Sequence, residues 1–222
     1  MTHELIPFFI ILAVIFVVFF LRQEKKRKER LQAWAQRNNW TLQPGKVKDL
    51  DRKHPGIKLF DRGHSRSGDN VITGKFKGLP VTCMDYNYTT GHGKNRQTHR
   101  HGVIVLEVGH PLIPLQIRRE NAMDRVGEFL GADDIDFESA EFSRAFFVKS
   151  ADKKWAYDVI HSRTMEYLMG IPRYFSIEFG TQEIVVHKSS RSEPEQYEKA
   201  VALARDFYDL IPTYVMEQLK GK

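Results

Sequence analysis

The chain has 222 residues, enough for one domain with an appendage, and its 41% hydrophobic and 28% charged residues exclude disordered, collagen-like and low-complexity classes. A single cysteine, Cys83, excludes an intrachain disulfide framework, a cysteine-based zinc finger and an iron–sulfur cluster. The net charge of +6 is unevenly spread: Met1–Leu21 carries −1, Arg22–Arg30 carries +4, and the remaining residues carry only +3.

Leu5–Leu21 (LIPFFIILAVIFVVFFL) is uncharged and apolar all round. As a helix it is about 25 Å long, at the short end of what crosses a bilayer, and it leaves no polar face for a surface helix. Pro7 falls in the first turn, where a missing N–H costs little. The run starts without a positive region and ends in Val-Phe-Phe-Leu-Arg, which suits no signal peptidase, so a permanent single span is expected. Arg22, Lys25, Lys26, Arg27, Lys28 and Arg30 follow it, and no Lys or Arg precedes it. By the positive-inside rule the N-terminus lies outside the cell membrane and everything after Arg22 is cytoplasmic. These six cations are expected at the membrane surface, where each contributes roughly 1 kcal/mol against anionic headgroups.

The helix is predicted to continue as a basic juxtamembrane segment, 22–40, with Leu31, Trp34 and Ala35 as one apolar stripe that docks on the domain, 41–222. Val71–Phe76, Leu79–Tyr88, Gly102–Val108 and Leu112–Arg119 read as antiparallel strands, with Lys77-Gly78 as a tight turn and Thr89–His101 as a long polar loop. A helix is predicted over Ala122–Leu130, a strand over Phe142–Lys149, and short helices over Asp152–His161 and Thr164–Met169. Tyr174–Phe179 and Glu183–His187 form a second hairpin. Ser192 and Glu195 read as a capping box opening a C-terminal helix, whose stripe of Tyr197, Val201, Ala204, Tyr208 and Ile211 should cover the sheet. The fold class is therefore α+β: an N-terminal transmembrane helix, then an antiparallel β-rich domain with short helices and a C-terminal covering helix.

Several stretches together resemble a known family. They are Gly74…Asp85-Tyr86…Tyr88-Thr89, then Leu130-Gly131…Asp134-Ile135…Glu138-Ser139…Glu141-Phe142-Ser143-Arg144…Phe146…Val148, then Arg163-Thr164-Met165-Glu166. This order is similar to that of bacterial proteins with one or two N-terminal spans and a domain of unknown function. The resemblance covers roughly Leu31–Phe179 and implies placement at a membrane without a defined activity. Where such proteins often carry His-Pro after the short helix, this chain has His161-Ser162.

Three constellations could carry chemistry. Gly91–His101 packs His92, His99 and His101 with Lys94, Arg96 and Arg100; the two imidazoles of His99-x-His101 could face one way, but the cations repel a dication. Asp133, Asp134, Asp136, Glu138 and Glu141 place five carboxylates in nine residues, and Asp134-x-Asp136-x-Glu138 imitates the start of an EF-hand loop, yet Ser139 and Ala145 stand where Gly and Glu are needed. Cys83 lies on one strand face with Leu79 and Val81, as a small buried hydrophobe does. His161 reads as a structural histidine at a helix end. No phosphate-binding loop, nucleophile elbow or zinc-protease helix is present. The mild charge after Arg30, without a basic-aromatic motif, argues against nucleic acid. The leading expectation is a single-pass membrane protein with a non-catalytic interaction module, no cofactor, anionic headgroups and another protein as partners. The alternative is a membrane-tethered metal-dependent enzyme using the histidine-rich loop or the acidic segment.

Overall fold

The computed structural model describes residues 5–120 and 135–220, with side chains from 12 to 219 within those ranges. Helix α1 runs unbroken over Leu5–Arg37. Among the described residues no helix is long and apolar enough to cross a membrane. The side chains of residues 5–11, the first part of the expected span, lie outside that description, as does the helix predicted over Ala122–Leu130.

The chain then builds one antiparallel sheet of eight strands: β1 (Thr41–Leu42), β2 (His64–Phe76), β3 (Leu79–Thr90), β4 (Gln97–Glu107), β5 (Leu115–Arg119), β6 (Phe146–Ser150), β7 (Ser176–Phe179) and β8 (Glu183–Lys188). Their order across the sheet is β1-β2-β3-β4-β8-β7-β5-β6. Two short helices, α2 (Leu50–Lys53) and α3 (Lys58–Asp61), precede β2. Helices α4 (Ala140–Ala145), α5 (Lys153–Val159), α6 (Ser162–Gly170), α7 (Pro194–Leu210) and α8 (Thr213–Lys220) fill the second half. The architecture is α+β.

Strand pleat divides the side chains between two cores. Ile72, Cys83, Ile104 and Val186 face one core with the C-terminal half of α1, with α5 and α6, and with α7. Val71, Met84, Val103, Val105 and Val185, their neighbours in sequence, face the other, which α2, α3 and the residues between them cover with Leu50, Ile57, Leu59 and Phe60. The stripe Leu31, Trp34 and Ala35 is buried in the first core, so the C-terminal half of α1 docks on the sheet as expected. Burying Leu31 alone contributes roughly 1.5–3 kcal/mol. Trp40 turns back against Trp34, with ring centroids 5.1 Å apart, and its Nε1 donates to the Lys75 carbonyl at 3.0 Å. Gly74 makes room for that indole, since a Cβ there would stand 2.1 Å from Trp40 Cδ1. At Lys77-Gly78 both residues adopt positive φ (45° and 84°), the two-residue turn whose twist matches the flanking strands.

Several boundaries differ from those expected, and β2 begins at His64, seven residues before the expected Val71. Thr89–His101 is not a long loop: β3 and β4 stay paired from Val81↔Leu106 to Thr90↔Gln97, and a 3₁₀ turn at Gly93–Asn95 closes the ribbon. Phe142–Lys149 begins as helix rather than strand, because Ser139 Oγ caps α4 by accepting the Phe142 N–H at 3.2 Å. Strand β5 starts at Leu115 instead of Leu112, because Pro114 has no N–H to give a ladder. The cap of α7 is Glu193 rather than Ser192, which puts Pro194 at N1 and lets Gln196 Oε1 accept the Glu193 N–H at 3.0 Å. Along α7 the aromatic at the centre of the buried face is Phe207, fully buried, while Tyr208 is only partly covered.

Candidate functional site

The apolar stripe of α1 continues upstream in a polar form. Arg27, Leu31, Trp34 and Ala35 are spaced i, i+4, i+7 and i+8, so Arg27 lies on the face that packs against the sheet. Its guanidinium meets the Asp85 carboxylate on β3 as a bidentate pair, Nη1–Oδ2 at 2.7 Å and Nη2–Oδ1 at 2.8 Å. Nη2 also donates to the Ser192 carbonyl just before α7, at 2.5 Å. Asp85 accepts two further hydrogen bonds, from Asn70 Nδ2 on β2 at 2.9 Å and from the Tyr197 hydroxyl on α7 at 2.9 Å. Both charged side chains are almost out of water, at 9% and 2% exposure. Burial opposes the charge on Arg27, and the hydrogen-bonded Asp85 more than restores it, so its pKa stands above the ordinary value. Burial, helped by the Asp85 charge, drives the Tyr197 hydroxyl well above its usual range. This node ties α1, β2, β3 and α7 together.

Of the six cations expected at a membrane surface, Arg22, Lys25, Lys26, Lys28 and Arg30 are exposed, and Arg30 also pairs with Glu193 at 2.8 Å. Arg27 is turned inward, which removes it from any headgroup contact.

One turn toward the N-terminus, Glu24 forms a second bidentate pair, with both carboxylate oxygens 2.7 Å from Arg191. The hydrogen bond from Arg191 holds the Glu24 carboxyl below its ordinary value. Between this pair and the outer ends of β2, β3 and β4 lies an open polar cleft of about 530 Å³. Phe20 and Glu24 of α1 form one wall, and Asp85, Asn87 and Thr89 of β3 with Arg96, Thr98 and Arg100 form the other. The alternating numbers follow from the strand period of two.

The opposite face of the same ribbon carries the histidines. His99 and His101 do share a face, as their spacing implies, and both rings stack on Tyr88, at 4.7 and 5.5 Å between centroids. His99 Nε2 bonds to Thr90 Oγ1 at 2.8 Å. His101 lies edge-on to His187 at 5.8 Å, and His187 Nε2 is 3.2 Å from Glu178 Oε1. Glu178 also accepts the Lys58 and Leu59 backbone N–H groups. Burial pushes His101 down to about 4, with the nearby His187 and Arg62 adding to the effect. His92 stacks on His64 at 4.8 Å near the ribbon tip. Among the described residues no three His, Cys, Asp or Glu side chains converge as metal ligands.

The acidic segment is divided. Asp133 and Asp134 lie outside the described residues; Asp136, Glu138 and Glu141 line up on the outer side and alternate with buried Ile135, Phe137 and Phe142. Cys83 is fully buried, and burial raises its thiol pKa far from reactivity. His161 precedes α6 and its Nε2 is 3.1 Å from the Leu210 carbonyl, joining α6 to the end of α7.

Two measurements follow from this geometry. Arg27→Ala leaves Asp85 buried without its counter-charge and should cost about 3–5 kcal/mol, whereas Lys26→Ala, exposed one residue away, should change stability by under about 0.5 kcal/mol. Urea unfolding of the full chain in non-ionic micelles separates the two; equal effects would contradict the packing of α1. His101 is neutral in the fold down to about pH 4, while an unfolded histidine takes its proton near 6.5. The unfolded state therefore binds more protons between those values, and stability must fall as pH drops from about 6.5 toward 4. Melting temperatures at pH 7 and pH 4.5 should fall less on acidification in His101→Phe than in the parent chain, and an equal fall in both would refute the assignment.

No family model matches the chain, and no curated protein matches it either. Among solved structures, the crystal structure of the mycobacterial trehalose monomycolate transport factor A, TtfA, is similar over 83% of this chain and 93% of that one, with a TM-score of 0.61 and 16% identity. At that identity the likeness is one of fold: the sheet and its covering helices are an arrangement that a transport factor also uses.

Proposed function

We propose that this chain is a single-pass membrane protein whose cytoplasmic α+β domain is a non-catalytic interaction module at the membrane surface. The observation that carries the proposal is on α1. Every residue from Leu12 to Leu21 is apolar and exposed, and the large ones range from 41% to 68% exposure. A contiguous apolar surface of this size marks a membrane or protein contact. With Leu5–Ile11 the uncharged run reaches about 25 Å, the short end of a bilayer span. Five exposed cations follow at once, where anionic headgroups would meet them. The shared fold with TtfA, a transport factor, supports an accessory role over catalysis.

The test is topological. The full chain should stay in the membrane pellet through alkaline carbonate extraction. A fluorescent reporter fused after Lys222, active in the cytoplasm, should light up, and a phosphatase that needs export should stay silent. Release by carbonate, or an active exported phosphatase, would overturn the anchor or its orientation.

A further inference from the structure

The cleft between α1 and the β2-β3-β4 ribbon has an unbalanced charge. Each acid that faces it is already engaged: Glu24 by Arg191, Asp85 by Arg27, and Asp69 by Lys46 at 3.3 Å and Asn87 at 2.9 Å. Arg96 and Arg100 line the same wall, both are exposed, and neither has a carboxylate within 4.0 Å among the described residues. They stand four apart on an extended segment with Thr98 between them, so all three side chains lie on one face of the ribbon. Two guanidinium forks with hydroxyl groups at Thr89 and Thr98 are the donor set that a phosphate diester takes.

The position of the cleft narrows the source of that phosphate. From Asp85 to Thr90 the strand advances about 16 Å, whereas from Arg27 back to Leu21 the helix recedes about 9 Å. The ribbon, held to α1 at Arg27–Asp85, therefore reaches the level where the apolar run ends. Phe20, in the last turn of that run, lines the cleft together with Arg96 and Arg100. A group bound there would have its charged end between the arginines and an apolar part against Phe20. A volume of about 530 Å³ accommodates a lipid headgroup.

We propose that this cleft binds the phosphate of an anionic membrane lipid, gripped by Arg96 and Arg100, with Phe20 against the lipid's glycerol and first methylenes. The proposal rests on the membrane-anchored reading given above. It differs from a general attraction to charge, because the juxtamembrane cations on α1 are not its ligands.

The experiment titrates the purified full chain in non-ionic micelles with dioleoylphosphatidylglycerol, dioleoylphosphatidylcholine and inorganic phosphate, read by thermophoresis. Phosphatidylglycerol should bind saturably and about tenfold or more tighter than phosphatidylcholine, and inorganic phosphate should not displace it. The double variant Arg96→Gln with Arg100→Gln should lose that preference, with a melting curve unchanged from the parent; the single variants repeat the measurement if the pair lowers it. Lys25→Gln with Lys26→Gln should keep it. Retained binding in the arginine variants overturns the site. Displacement by inorganic phosphate with the same arginine dependence assigns a soluble phosphate and overturns the lipid. Carbonate extraction on a separate sample distinguishes the two readings. A chain released by carbonate that still binds through the arginines overturns the anchor alone, and a retained chain without arginine-dependent binding overturns the cleft alone.

Discussion

The buried pair between Arg27 and Asp85 sets the relation of everything else to α1. Two charges taken from water are costly, and the attraction offsets that cost only where the geometry is good and most of their polar atoms find partners; Arg27 Nε makes no hydrogen bond and lies 3.4 Å from Glu193 Oε1. Here the carboxylate accepts from Arg27, Asn70 and Tyr197, and the guanidinium also reaches the Ser192 carbonyl. Those partners come from a helix, two strands and the approach to a second helix. The geometry that satisfies one satisfies all of them, so α1 has one register and one rotation against the sheet. A stalk held by Leu31 and Trp34 alone would have apolar contacts, which are tolerant of small slides; the forked pair is directional and is not.

The fixed pose has a functional consequence. If the apolar half of α1 spans a bilayer, the domain is not suspended on a flexible tether but stands at a set height and angle. The Glu24–Arg191 pair extends the contact by one more turn toward the span, and the β3–β4 ribbon runs beside it. One face of that ribbon presents Arg96, Thr98 and Arg100 to the cleft, and the other stacks His99 and His101 on Tyr88. The strand period of two thus separates a surface open to ligands from one that stiffens the ribbon. The histidines stand out in the sequence, and in the fold His99 and His101 stack on Tyr88.

Most strands were legible because Val, Ile, Tyr and Phe cluster where two cores sandwich a sheet. The docking stripe of Leu31, Trp34 and Ala35 was legible from its helical spacing. The outer ribbon was not, since Gln97–His101 is polar; it stays extended because it pairs with β3 and stacks on Tyr88, which no local pattern reveals. Ser139 capping α4 and Pro194 at the first turn of α7 were visible as residue types, yet their positions depended on what the neighbouring backbone was already bonded to. Arg27 is the residue whose role spacing conceals most. Within a run of six cations it read as one more topology signal, although its place four residues before Leu31 put it on the buried face. Asp85, 58 residues away, could not be joined to it by spacing.

The pose of α1 can be measured directly. Nitroxide labels at Gln23→Cys on the helix and Lys94→Cys near the ribbon tip leave the buried Cys83 untouched. With the full chain in lipid vesicles, pulsed dipolar spectroscopy reads the distance between them. A weld at Arg27–Asp85 gives one narrow distance distribution that broadens in Asp85→Ala. A broad distribution in the parent chain, or one that Asp85→Ala leaves unchanged, would contradict it.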